Sequence, residues 1–136
     1  MQTTLALRIT GDLLDPEEIT QILKVHPRSS GRKGSVRATR SPKEIISKFG
    51  FWFWKSDDVS YAMPIMDHLA LLKSTFGHAR DLFGSLPNAE YVWLNICIVK
   101  TEEDGADSCV EFMLDAKSAA VIAEIGLPVE FSIYGG

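Results

Sequence analysis

Thr3-Thr4-Leu5-Ala6-Leu7-Arg8-Ile9-Thr10-Gly11-Asp12-Leu13-Leu14-Asp15-Pro16-Glu17-Glu18 contains a whole strand, a turn and the first turn of a helix. Leu5, Leu7 and Ile9 fall on one side of an alternating run and Thr4, Ala6 and Arg8 on the other, the period of a half-buried strand. Gly11 and Asp12 break the alternation. Asp15 then offers an N-cap, Pro16 suits the first helical position, and Glu17 and Glu18 set acids against the helix N-terminus. Ile19, Ile22 and Leu23 give this short helix a buried stripe, and Pro27 stops it near Lys24. A strand leading directly into an amphipathic helix points to an α+β fold.

The rest of the chain extends that pattern. Phe51-Trp52-Phe53-Trp54 is too aromatic and too short for anything but a strand. Before it, Ser41-Pro42-Lys43-Glu44 resembles a capping box, with Ile45, Ile46 and Phe49 as a short helix to follow. Pro64 opens the longest helix, whose stripe runs through Ile65, Leu69, Leu72, Phe76, Ala79 and Phe83, with Gly77 as a place for a kink or a break. Tyr91 to Lys100 and Cys109 to Leu114 read as a hairpin turning at Glu102 to Gly105. Asp115 caps a third helix, Gly126 ends it, and Val129 to Tyr134 is the last strand. The expected fold is a single two-layer α+β domain over residues 1–136, ferredoxin-like in spirit. It has a mixed or antiparallel sheet of about five strands with three helices on one face, in the order β-α-β-α-β-β-α-β.

Alternation also sorts residues between the two sheet faces. One face would carry Leu5, Leu7, Ile9, Phe51 and Phe53 beneath the helices. The other would carry Arg8, Trp52, Trp54, Trp93 and Glu111, so that all three tryptophans share the uncovered side. Such a surface calls for a cover: the chain itself, a second copy of the chain, or a ligand.

Charge singles out one segment. Lys24 to Lys48 holds eight of the fourteen Lys and Arg and one acid, about +7, in a chain of net charge −4. Within it, residues 28–40 show no periodicity and read as a long basic loop entering the Trp52/Trp54 strand. The candidate binding residues are Arg8, Arg28, Arg32, Lys33, Arg37, Trp52, Trp54 and Trp93. An acidic protein partner or a small anion fits them. The balance of the chain, near −11, argues against nucleic acid, and the aromatic signature of RNA-binding sheets is missing.

Other chemistry is not signalled. HExxH, GxSxG, GxxxxGK[ST] and GxGxxG are absent, and Gly31-Arg32-Lys33-Gly34 matches a phosphate loop in composition only. His26, His68 and His78 read as surface or boundary histidines, and Glu102-Glu103-Asp104 with Asp107 as a solvated turn. Cys97 and Cys109 stand outside any metal or redox pattern and read as thiols. No cofactor, metal or catalytic residue is expected. No apolar run approaches the roughly 18 residues of a membrane span, and Met1 to Leu5 lacks the features of a signal peptide, so a cytoplasmic location is expected.

Several of these pieces together resemble a known family. Leu7-Arg8-Ile9-Thr10-Gly11-Asp12 leads into Leu14-Asp15-Pro16-Glu17-Glu18-Ile19-Thr20. Pro27 follows the helix, Lys33-Gly34 precedes a Trp-bearing strand, and Ile125-Gly126-Leu127 with Val129 to Tyr134 closes the chain. This is similar to the bacterial family catalogued as domain of unknown function 4279. The resemblance implies a small stand-alone bacterial protein, with related families thought to act as immunity proteins that neutralise toxins. It implies no catalytic residues. The leading expectation is a non-enzymatic binding protein that uses the basic loop and aromatic sheet face. The alternative is a small-molecule sensor or enzyme with a pocket between loop and sheet, and a homodimer through the aromatic face is a third reading.

Overall fold

The computed structural model describes residues 1–38, 44–105 and 109–135. In chain order these form β1 (Gln2–Gly11), α1 (Pro16–Leu23), β2 (Ser29–Gly31), β3 (Val36–Ala38), β4 (Glu44–Ile46) and β5 (Gly50–Lys55). There follow α2 (Ile65–Phe76), a 3₁₀ segment (Gly77–Ser85), β6 (Tyr91–Val99), a 3₁₀ turn (Glu102–Asp104), α3 (Ala116–Ile125) and β7 (Val129–Tyr134). The main sheet has the order β2-β5-β1-β6-β7, and β3 pairs with β4 in a separate two-stranded ribbon. The first four strands of the sheet are antiparallel, and β7 joins β6 in parallel through the α3 crossover. The fold is α+β, with a five-stranded mixed sheet and three helices.

Sequence chemistry accounts for the helix ends. The Asp15 carboxylate accepts from the Glu17 N–H at 3.1 Å, and Lys24 takes the left-handed conformation that ends α1. The Asp115 carboxylate accepts from the Ser118 N–H at 2.7 Å, and Gly126, with φ of 72°, closes α3. At Gly77 the α-helix gives way to the 3₁₀ segment, at the glycine read as a place for a kink or a break. The His78 ring meets the carbonyl of Leu23 at 2.9 Å, tying that segment to the end of α1.

The helices cover one face of the sheet. Leu5, Leu7, Ile9, Leu94, Ile96 and Ile98 are fully buried there, beneath Ile19 and Leu23 of α1, Leu69 and Leu72 of α2, and Val121 of α3. Strand β5 departs from expectation. The ladder sets Trp54 opposite Leu7 and Trp52 opposite Ile9, so both indoles point into the core and Phe53 lies beside Arg8 on the other face. Trp52 is fully buried and its Nε1 donates to Thr20 Oγ1 at 3.0 Å. Trp52 and Trp54 meet Phe76 edge-on, at ring separations of 6.3 and 5.1 Å. The face assignment of Trp52 and Trp54 is therefore reversed.

Three further segments differ. Residues 44–46, read as helix, form β4 against β3; the remainder of that capping box, residues 41–43, lies outside the described residues. Part of the basic stretch is strand, because Ser29 to Gly31 pairs with Phe53 to Phe51. Cys109 to Leu114 forms no ladder: β7 takes the free edge of β6, and Val110, Phe112 and Leu114 instead pack on the core.

Candidate functional site

The helix-free face of the sheet is built from alternate residues of β1, β5, β6 and β7. Arg8 stands in its middle, opposite Phe53 on β5 and Trp93 on β6. Its guanidinium carbon lies 5.5 Å from the centre of the Phe53 ring, a cation–π arrangement that holds the group against the sheet. Its ion pair with Glu130 is long, 4.0 Å, and its side chain keeps 38% of its exposure. Glu130 Oε1 is engaged elsewhere, accepting from Asn95 Nδ2 at 2.7 Å and Trp93 Nε1 at 3.4 Å, and Asn95 also donates to Ser132 Oγ at 2.9 Å. Asn95, almost fully buried, is thus fixed as a polar floor beside Arg8. The Arg8 donors remain available to an incoming acceptor.

Beside Arg8 a shallow groove of about 240 Å³ is lined by Arg28, Phe53, Lys55, Asn95 and Cys97. Arg28 is held by Asp57 at 2.6 Å, and the Tyr61 hydroxyl donates to the other Asp57 oxygen at 2.7 Å. Burial works against ionisation of Asp57, but the hydrogen bonds from Tyr61 and Arg28 outweigh it and hold the carboxyl below its ordinary range. Lys55 lies over the Tyr61 ring at 5.5 Å. Three cations therefore border the groove, and the Asp57 clip braces one of them.

Two further cations of the basic segment pair with acids elsewhere in the chain. Arg32 reaches Asp15 at 2.9 Å and Lys33 reaches Asp12 at 3.0 Å, so both fasten the chain to the β1–α1 turn and neither lines the groove. Arg37 is placed in β3 by its backbone, but its side chain, like Arg40 and Lys43, lies outside the described residues. Of the expected site residues, the structure brings together Arg8, Arg28 and Trp93 on one face. It sends Trp52 and the Trp54 ring into the core, although Trp54 also borders the groove. Phe53, Lys55, Asn95 and Glu130 join the site instead. Lys55 carried a readable signal: it shares the alternation of Phe51 and Phe53, and a lysine marks the outward face.

His68 also departs from the surface or boundary position expected of it, being fully buried. Its Nδ1 lies 2.7 Å from Ser56 Oγ, which accepts from the Leu5 N–H at 3.0 Å, and its Nε2 has no hydrogen-bond partner among the described residues. Burial pulls its pKa below the ordinary value, against weaker opposing pulls from the main chain of Met63 and Ser60 and from Asp67. The native state therefore holds His68 neutral while the unfolded chain takes up a proton near pH 6.5. Its contribution to stability is complete above that pH and declines as pH falls towards the lower folded value. Urea midpoints measured between pH 7.5 and 5 should fall on acidification, and His68→Gln should flatten the slope; an unchanged slope in the variant would refute the assignment.

Among the described residues no group of three or more His, Cys, Asp or Glu could hold a metal ion, and no helix is long and apolar enough to cross a membrane. No curated protein and no solved structure matches the chain. A family model does, the one described as Domain of unknown function (DUF4279), over residues 1–136. The chain belongs to that family.

Proposed function

We propose that this member of the DUF4279 family is a non-enzymatic binding protein whose helix-free sheet face receives an anionic group at Arg8. The observation that carries this reading is the state of Arg8: central, held over Phe53, and, among the described residues, ion-paired only with a Glu130 oxygen 4.0 Å away that already serves Asn95. A carboxylate or phosphate there would gain a charge-assisted hydrogen bond that Glu130 does not supply. The groove with Arg28 and Lys55 extends the positive field, and Trp93 and Tyr91 offer rings to the body of a partner. An acidic segment of another protein is the partner this surface suits. The toxin-neutralising role implied by the family resemblance would use the same face.

The groove volume favours a second reading, a small anionic metabolite seated between Arg8 and Asn95. A homodimer through this face has a narrower basis than three shared tryptophans would have given, since Trp93 alone remains there.

Trp93 is a built-in reporter, because Trp52 and Trp54 are shielded from solvent. Titration with poly-L-glutamate and with inorganic phosphate should change Trp93 fluorescence saturably, and the affinity should fall as salt is raised. Arg8→Gln should weaken binding about tenfold or more, while Arg32→Gln leaves it near the parent value. If both probes leave the fluorescence unchanged, or if Arg8→Gln binds as well as the parent, the reading is wrong.

A further inference from the structure

On the opposite side of the sheet the helix layer does not close completely. Between α2, the 3₁₀ segment and α3 lies an apolar cavity of about 110 Å³, floored by Leu7 and Leu94 and walled by Phe76, Phe83, Val121 and Ile125. Two features of the chain leave it there. The α-helix ends at Gly77, whose missing side chain meets only open space. α3 contributes Val121 as its one deeply buried apolar side chain among the described residues.

The mouth is charged where the interior is not. Lys73 and Arg80 stand at it with a single acid, Glu124. Lys73 spans the opening to Glu124 at 3.5 Å, linking α2 to α3. Among the described residues Arg80 has only a loose 3.9 Å pair with Asp81, a residue almost wholly in solvent. Such a pair contributes little, so the Arg80 guanidinium is free to serve a ligand.

We infer that this cavity takes a small apolar carboxylate, with one aromatic ring or a short branched chain inside and the carboxylate at Arg80 and Lys73. Size sets the first limit. A dry protein cavity of about 150 Å³ holds benzene, so a somewhat smaller cavity open at one end takes a single ring whose polar end stays outside. The second limit is charge, since an amine at the mouth would face two cations and a carboxylate would face one acid. The site is separate from Arg8, which lies on the other sheet face.

Ligand-detected NMR with benzoate, benzyl alcohol and benzylamine tests the assignment. Benzoate should bind saturably, about fivefold tighter than benzyl alcohol, with benzylamine weakest. Arg80→Gln should erase the preference for benzoate while benzyl alcohol still binds. Val121→Phe should abolish binding of all three by filling the cavity; Ile125→Phe, nearer the mouth, serves if that variant does not fold. These titrations are made in an Arg8→Gln background, so that no carboxylate held at the sheet face adds to the signal. No saturable benzoate binding up to roughly 10 mM, equal binding of benzylamine, or insensitivity to the filling variants would overturn it.

Discussion

Replacing Trp52 by alanine should cost about 3–5 kcal/mol of folding stability, against a total that for domains of this size is about 5–15 kcal/mol. The indole is fully buried, edge-on to Phe76, and its N–H donates to Thr20 Oγ1, which in turn donates to the Pro16 carbonyl at 3.1 Å. Truncation removes the largest side chain at the junction of α1, α2 and β5. It also strips Thr20 of a partner that helps hold α1 to the sheet. Urea denaturation followed by far-UV circular dichroism measures the loss without relying on tryptophan fluorescence. A midpoint close to the parent value would mean that Trp52 is exposed after all, as a binding residue would be. Trp93→Ala is the contrast, expected to cost far less because the ring lies on the helix-free face and is only partly buried.

Gly11→Ala should be nearly as damaging, and for a different reason. A Cβ at Gly11 would lie 2.0 Å from the carbonyl oxygen of Asn88, with the Asn88 carbon and the Glu90 nitrogen at 3.2 Å. All three are backbone atoms, so no side chain can turn aside. The approach is fixed by the Glu90 N–H donating to the Thr10 carbonyl at 2.9 Å and the Asp12 N–H donating to the Glu90 carboxylate at 2.7 Å. Accommodating one methyl group means breaking these bonds or moving the start of β6, a loss of about 3 kcal/mol. Gly84→Ala is the matched control: nothing lies within 4 Å of its Cβ position, and its stability should stay within about 0.5 kcal/mol of the parent. If the two variants melt together, the close packing of β1 against residue 88 is wrong.

Contrast between neighbouring side chains decides how much of a strand is legible. Thr3 to Thr10 alternates apolar with polar residues, so its faces were legible, and so were the caps at Asp15 and Asp115. Phe51-Trp52-Phe53-Trp54 offers no such contrast, because either pair of rings could fill a core. Pairing with β1 decides the matter, with Gly11 opposite Gly50 and Arg8 opposite Phe53. Cys109 to Leu114 shows the converse. Its alternation is real, but packing on the core satisfies it without a ladder, and no local signal reveals that β7 will take the edge of β6. The basic segment was visible as charge, whereas its partners were not: Asp12, Asp15 and Asp57 belong to other segments that only the fold brings near. Arg8 could be placed on the open face from alternation alone. Its pairing with Phe53 could not.

The central position of β1 has a consequence for how the protein is made. Its ladders join Gly11 to Gly50 and Gln2 to Val99, so it forms no hairpin with the segment that follows it. Synthesis proceeds at about 5–20 residues per second, so β1 leaves the ribosome several seconds before β6 exists to pair with it. Leu5, Leu7 and Ile9 lack the β6 and α2 part of their cover through that interval, and closing so distant a contact is slow in itself. The strand best hidden in the finished molecule is the one longest open to chaperones, and to other nascent chains, during its birth.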